Sequence, residues 1–267
     1  MKTSQIYHSL FFTLLYSVHA LADDNVSLAN KLNNPIANLI SVPFQFDVDD
    51  QVGPSNGIKS TLNVQPVIPI SLSDDALVIS RTIIPFSYQN DVTQEGQSQF
   101  GMGDITQSFF YSPKDPTKNG LIWGVGPVLL LPTGMDSALS AKKWGAGPTA
   151  VFLKQTGSWT YGALLNHIWD YAGKKDGKHI SNSFIQPFVS WTSSQAVSVI
   201  VNTESTYDWN ENEWSIPMNL MLAKVTRIGN QTIQVGGGFR YWAKSTAENG
   251  PEGLGLRLKI TLLFPEK

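Results

Sequence analysis

The sequence predicts an all-β fold: a transmembrane, antiparallel, up-and-down β-barrel of about twelve strands, preceded by a short segment of helical spacing. Three observations carry this prediction. The stretch LGLRLKITLLF (254–264) alternates strictly, with Leu254, Leu256, Leu258, Ile260, Leu262 and Phe264 on one parity and Gly255, Arg257, Lys259 and Thr261 on the other. That is the period of a strand with two different faces. From about Leu39 onward strand and turn patterns follow one another with no long helical period. Short turns and long polar connections alternate along most of the chain, as they do in barrels with tight turns at one rim and longer loops at the other. A sandwich with Greek-key connections gives no reason for that alternation.

The elements follow in chain order. MKTSQIYHSLFFTLLYSVHALADD carries Lys2, an apolar run from about Leu10 to Val18, and Ala20-Leu21-Ala22 ahead of Asp23-Asp24. This reads as a signal peptide cleaved after Ala22, since the run is shorter than the roughly 20 residues that span a bilayer as a helix. The chain thus divides into a signal peptide (1–22), a leader (23–38) and the barrel (39–267). In the leader Leu28, Leu32 and Ile36 recur at helical spacing, with Ser27 as a candidate N-cap. Two readings stand for it: a short helix in the lumen or at the periplasmic rim, and a disordered leader. Strands are expected near 39–48, 59–72, 76–90, 104–112, 121–132, 146–155, 159–171, 183–192, 196–209, 214–226, 232–243 and 254–264. SDD at 73, TGS at 156, SSQ at 193 and IGNQ at 228 are tight turns. DDQVGPSNG, NDVTQEGQSQFGMG, TGMDSALSAKKWG, GKKDGKHISN and KSTAENGPEG are the long connections. Two connections break the alternation, SPKDPTKNG near 112 and NENE near 210.

Aromatic side chains (Tyr88, Tyr161, Trp169, Tyr171, Trp191, Tyr207, Trp209, Trp214, Tyr241) sit mostly near strand ends, the place of interfacial girdles in a barrel and equally open to an ordinary aromatic core. Proline argues against a regular ladder. Pro43, Pro66, Pro69, Pro85, Pro127, Pro148, Pro187 and Pro217 all fall inside expected strands, each lacks a donor, and each therefore requires a bulge or a break.

Composition bounds the chemistry. The formal net charge of −2 gives no basis for nucleic acid as a partner, and the absence of cysteine removes disulfides and thiolate metal sites. A mean hydropathy of −0.10 suits a barrel, half of whose strand residues face water. Only His167 and His179 remain in the mature chain, with no H-E-x-x-H and no clustered ligand set, so neither a metal nor another cofactor is expected. DVDDQVG (47–53) begins like a calcium loop but lacks the sixth-position glycine and closing glutamate, and reads as a solvated outer loop. His179-Ile180-Ser181 has the His-x-Ser spacing of an outer-membrane lipase. A hairpin turning near Ser194 places Tyr207 opposite Ser181, however, leaving no third group to orient the histidine. No enzymatic activity is expected.

Six blocks, NPIANLISVPFQF, NVQPVIPISLSDDALVISRTIIPF, GMGDITQSFFYSP, WGVGPVLLLPTG, KWGAGPTAVFL and the terminal LLFPEK, resemble a bacterial outer-membrane family linked to the MetA pathway of phenol degradation. Its members are described as transporters, and some carry the label neuromedin U. The resemblance spans essentially the mature chain. It implies an outer-membrane barrel with a transport role, and brings no catalytic motif and no defined substrate.

Polar residues of the inward face are the candidate functional set: Gln45, Asp47, Asn63, Gln65, Arg81, Asn202, Glu204, Asp208, Asn219, Gln234, Arg240, Arg257 and Lys259. A loop centred near 248 pairs Arg240 with Arg257, a turn near 229 pairs Arg240 with Asn219, and a loop near 211 pairs Asn219 with Glu204. Four consecutive strands then bring Glu204, Asn219, Arg240 and Arg257 to one level, with Lys259, Arg81 and Asp208 nearby. Two arginines across a hairpin repel unless an anion answers them, and Glu204 answers only part of that charge. The ring is read in two ways, as a self-satisfied network filling a narrow barrel and as a selectivity filter touching a solute. Apolar solutes would instead follow Phe184, Phe188 and Phe110. The expected partners are outer-membrane lipid and lipopolysaccharide, the barrel-assembly machinery, and a small-molecule solute, aromatic or anionic. The expected function is that of an outer-membrane channel; the alternatives are a non-conducting structural barrel and, least favoured, a lipase.

Overall fold

Residues of one parity along each strand are apolar, and in three dimensions that parity becomes the outside of a closed wall. The computed structural model describes residues 24–175, 179–246 and 250–264; the segment expected as a signal peptide, with Ala22, and the final Pro265-Glu266-Lys267 lie outside the described residues. The strand segments are β1 (Ile40–Val52), β2 (Gly57–Val64), β3 (Val67–Ser71), β4 (Ala76–Asn90), β5 (Ser98–Met102), β6 (Ile105–Pro113), β7 (Leu121–Leu131), β8 (Lys143–Thr156), β9 (Trp159–Gly173), β10 (Ser181–Thr192), β11 (Val197–Thr203), β12 (Ser205–Asp208), β13 (Glu213–Ile228), β14 (Gln231–Lys244) and β15 (Gly253–Phe264). Three pairs of segments run in line as single staves, β2 with β3, β5 with β6, and β11 with β12, giving a closed antiparallel barrel of 12 strands. Closure is made by β15 against β1, with Ile40 opposite Phe264.

The wall sorts its residues as the alternation requires. On β15, Leu254, Leu256 and Leu258 are more than half exposed, whereas Arg257 is 3% and Thr261 0% exposed. An outward face of this kind has no core to meet and is matched by hydrocarbon. Exposed aromatics gather at its two edges. Tyr111, Trp159, Tyr161, Trp191 and Phe264 lie toward the rim of short turns, and Tyr88, Phe100, Trp144, Trp169, Tyr171, Trp209 and Tyr241 toward the rim of long loops. β1 begins and β15 ends at the turn rim.

The prolines coincide with interruptions of the ladder. Pro66 occupies the gap between β2 and β3. Pro85 lies beside the gap between β5 and β6, where its carbonyl accepts from the Gly103 amide at 2.8 Å. Pro217 adjoins a register shift on β13 and lies across from the gap between β11 and β12, accepting from the Glu204 amide at 3.2 Å. Pro127 and Pro148 face each other across β7 and β8. The outer neighbours of this pair each lose their pairing only locally, between Ser108↔Val128 and Tyr111↔Val125 on one side and between Ala146↔Trp169 and Thr149↔Asn166 on the other. At this pair the missing donors are absorbed without slipping the register, whereas Pro217 coincides with a one-residue shift.

The leader is helical over 24–32 and enters the barrel at the turn rim. Leu28, Ala29, Ala37 and Leu39 pack with Ala196, Val225 and Leu263 of the wall, and Ile36 packs with Leu77, Ile79, Phe110, Val151, Leu153 and Leu164. Ser27, expected as the N-cap, lies inside the helix. Polar anchors fix the segment: Asn33 Nδ2 donates to Thr192 Oγ1 at 3.1 Å, and Gln155 Nε2 to the Asn30 carbonyl at 2.8 Å. Residues 47–52, expected as a solvated loop, continue β1 instead, and Asp47 and Asp49 turn inward and are buried.

Candidate functional site

The lumen is organised around one ion network. Arg257 on β15 bridges two carboxylates. Its Nε and Nη2 reach Asp47 at 2.6 and 3.1 Å, and its Nη1 and Nη2 reach Glu204 at 2.8 Å each. Arg240 on β14 lies 3.4 Å from both Asp47 and Asp49 and 4.0 Å from Glu204. Trp242 Nε1 donates to Asp49 at 2.8 Å, and its ring lies 4.4 Å from the Arg240 guanidinium carbon. Asn219 Nδ2 donates to Asn202 Oδ1 at 2.7 Å. Fork-shaped arginine contacts of this kind fix geometry as well as charge.

The sequence brings the expected residues together through a different register. Asn219 does face Arg240. Arg240 pairs with Gly255, however, and Arg257 with Gly238, so the two arginines are not directly opposed. Asn219 faces Asn202, not Glu204. Each error is a displacement of the loop centre by one residue, which shifts the partner by two and keeps the face. The corrected register has a physical reason: Arg257, Lys259 and Arg240 lie across from Gly238, Gly236 and Gly255, positions without a side chain, which leave lumen volume for long cations. Glu204 sits in the gap between β11 and β12, free of strand pairing, and reaches both arginines from there. Asp47 stood among the expected inward residues but not as the partner of the arginines, and Asp49 was missed. Its parity with Asp47 on β1 was the available signal, obscured by reading 47–53 as a loop.

Two cavities flank this level. The outer one, about 630 Å³ at the loop rim, is lined among others by Phe184, Asn182, Thr206, Asp208 and His179; the inner one, about 150 Å³ against the helix segment, by Phe188, Asn219, Lys259, Thr261 and residues 31–35. Gln45, Gln65, Arg81, Gln186 and Glu204 line both and form their shared wall. Among the described residues the Arg81 guanidinium makes one hydrogen bond, from Nη2 to Gln65 Oε1 at 3.3 Å, and Glu204 attracts it at longer range. Of the phenylalanines expected along an apolar path, Phe184 and Phe188 line cavities. Phe110 does not: it is 0% exposed, packed under Ile36 of the leader.

The loop between β7 and β8 folds inward, which the sequence did not disclose. Asp104 accepts from Ser140 Oγ at 2.6 Å and from the amides of Gly134 and Ala141 at 3.0 and 2.8 Å, and Ala141 lines the outer cavity. Nearby, Lys143 and His179 both contact Asp170 at 3.1 Å. His179 is thus engaged on the lumen side. Ser181 instead lies 3.5 Å from His167 Nε2, whose Nδ1 lies 2.8 Å from Ser183. The hairpin places Tyr207 opposite Ser183, one position pair away from the expected Ser181.

No protein-family model matches the chain, and no curated protein does. Among solved structures, an outer-membrane channel of Pseudomonas putida F1 aligns with a TM-score of 0.66 and 14% identity, covering 85% of this chain and 96% of that one. The outer membrane phospholipase A of Escherichia coli aligns with a TM-score of 0.49 and 7% identity, covering 84% and 96%. The likeness to the Pseudomonas channel is one of fold: a barrel of the outer-membrane type.

Proposed function

We propose that the chain is an outer-membrane channel through which small solutes pass passively, with anions favoured over cations. The observation that carries this reading is the pair of lumen cavities sharing one stretch of wall, which contains Arg81, a cation that makes no ion pair among the described residues. Around that level Lys59, Arg81, Arg240, Arg257 and Lys259 face Asp47, Asp49 and Glu204, five cations against three carboxylates. Charged rings in narrow pores set ion preference. An apolar outer face between two aromatic edges supports residence in a bilayer, and the N-terminal signal peptide supports export to the outer membrane, with the loops outward and the helix segment at the periplasmic rim. Assembly by the barrel-assembly machinery and contact with lipopolysaccharide follow from that location. The six sequence blocks support kinship with the MetA-linked transporters, and with it a solute from aromatic catabolism.

Refolded protein in planar bilayers tests the reading. Discrete conductance steps with a reversal potential displaced toward that of chloride are expected. A correctly folded barrel with no conductance, before and after removal of 24–36, would leave the non-conducting structural role.

A further inference from the structure

The ion network does not account for the inner cavity. Three polar atoms in its wall, Asn219 Oδ1, Ser190 Oγ and Thr261 Oγ1, are buried without a hydrogen-bonding partner among the described residues, on residues 3%, 2% and 0% exposed. Buried polar groups are otherwise nearly always paired, and each exception asks for an explanation. Beside them stands Lys259, which makes no ion pair or hydrogen bond among the described residues. Arg81, at the cavity's outer edge, has only its long contact to Gln65. The remaining wall is mixed: Phe188, Ile200 and Met221 form an apolar stretch, while Gln45, Gln65, Gln186, Asn202 and Glu204 are polar.

These groups specify a complement. Two cations that make no ion pair among the described residues, with Glu204 acting on both only at longer range, call for an anion. Asn219 Oδ1 can only accept, so it calls for a donor. Ser190 and Thr261 accept or donate. The apolar stretch of Phe188, Ile200 and Met221 calls for an apolar body against that side of the cavity. A volume of about 150 Å³ corresponds to roughly five liquid-water volumes, room for one ring-sized molecule. We propose that the inner cavity is a binding site for a small monocarboxylate bearing a hydroxyl group on an apolar body. Its carboxylate is held by Lys259 and Arg81, its body lies against Phe188, Ile200 and Met221, and its hydroxyl donates to Asn219. This rests on the channel reading and names the solute class; it also reconciles a charged lumen with an aromatic or aliphatic solute, since one molecule satisfies both walls.

Binding is measured apart from conduction, by titration calorimetry of refolded mature protein in detergent with 4-hydroxybenzoate, benzoate and phenol. One saturable site for 4-hydroxybenzoate is expected, with benzoate about tenfold weaker for want of the donor, and phenol without saturation for want of the charge. Lys259→Met weakens 4-hydroxybenzoate by about tenfold or more, and Asn219→Leu removes the difference between 4-hydroxybenzoate and benzoate. Arg81→Gln serves as a second charge variant, and heat-modifiable gel mobility establishes that each variant is folded. No saturable heat with any of the three compounds overturns the site, because water alone then satisfies the orphaned atoms. Unchanged binding in the folded Lys259→Met and Arg81→Gln proteins overturns it as well. A protein that binds but does not conduct keeps the site and loses the channel; one that conducts without binding keeps the channel and loses the site.

Discussion

Replacing Arg257 with methionine isolates the central ion pair from the packing of its stem. The wild-type guanidinium makes four contacts between 2.6 and 3.1 Å to Asp47 and Glu204. In Arg257→Met, Asp47 keeps Gln45 Nε2 at 3.0 Å and Arg240 at 3.4 Å, while Glu204 keeps only Arg240 at 4.0 Å. Three carboxylates then share one arginine. Removing one partner of a buried pair destabilises by roughly 3–5 kcal/mol. The Glu204 side chain is 20% exposed to the lumen, so water answers part of its charge and the lower end, about 3 kcal/mol, applies. Urea unfolding of the refolded protein in lipid vesicles, followed by tryptophan fluorescence, reads this as a lower midpoint at unchanged slope. Adding Asp47→Asn and Glu204→Gln removes the stranded charges and recovers most of the loss. A single variant within about 1 kcal/mol of wild type, or a triple variant no better than the single, would refute the assignment of this stability to charge pairing.

Three other outcomes follow from the same geometry. Removing 24–36 takes out Asn33, Ile36 and the helix, and is expected to raise single-channel conductance severalfold while the barrel keeps its heat-modifiable mobility; unchanged conductance would show that the segment does not obstruct the pore. Asp104→Ala frees the inward loop from Ser140, Gly134 and Ala141, and should increase current noise and the accessibility of a cysteine placed at Ala141, with a quiet trace counting against a loop held at the mouth. Arg81→Gln removes the cation of the shared wall that makes no ion pair among the described residues, and should move the reversal potential toward that of the cation at nearly unchanged stability; a reversal potential equal to wild type would place selectivity elsewhere.

The parts of the fold legible in the sequence were those governed by local period. β15 was readable residue by residue because its parity separates leucine from charge over its full length, and the rim turns were readable from glycine, serine and aspartate. The ladder gaps were legible only as a demand, since proline announces a missing donor but not which neighbour yields. What escaped was set by neighbours distant in sequence. A one-residue error in a loop centre leaves every face unchanged, so alternation could not detect that Arg240 meets Gly255 and not Arg257. Phe110 was correctly read as inward, but its lumen is filled by Ile36, more than seventy positions earlier. The inward loop depends on Asp104 capturing amides across a hairpin, for which no periodic signal exists.

The glycines of β14 connect these observations. Gly236 and Gly238 lie across from Lys259 and Arg257, and Gly255 from Arg240. A side chain at any of the three would compete with the cation for the same lumen volume. At Gly238 it would also collide with the backbone of β13, since a Cβ there falls 2.0 Å from the Leu220 carbonyl oxygen. Gly236 and Gly238 are therefore the negative image of Lys259 and Arg257 on β15: where one strand gives up its side chains, the other projects long ones. Arg240 and Arg257 are tolerated on one hairpin because each faces empty volume and a carboxylate of another strand, not its own kind. Arg257 and Arg240 find Asp47, Asp49 and Glu204 in that way. Lys259, one step nearer the helix segment, makes no ion pair with those three among the described residues and stands over the inner cavity, felt by Asp47 and Glu204 only at longer range.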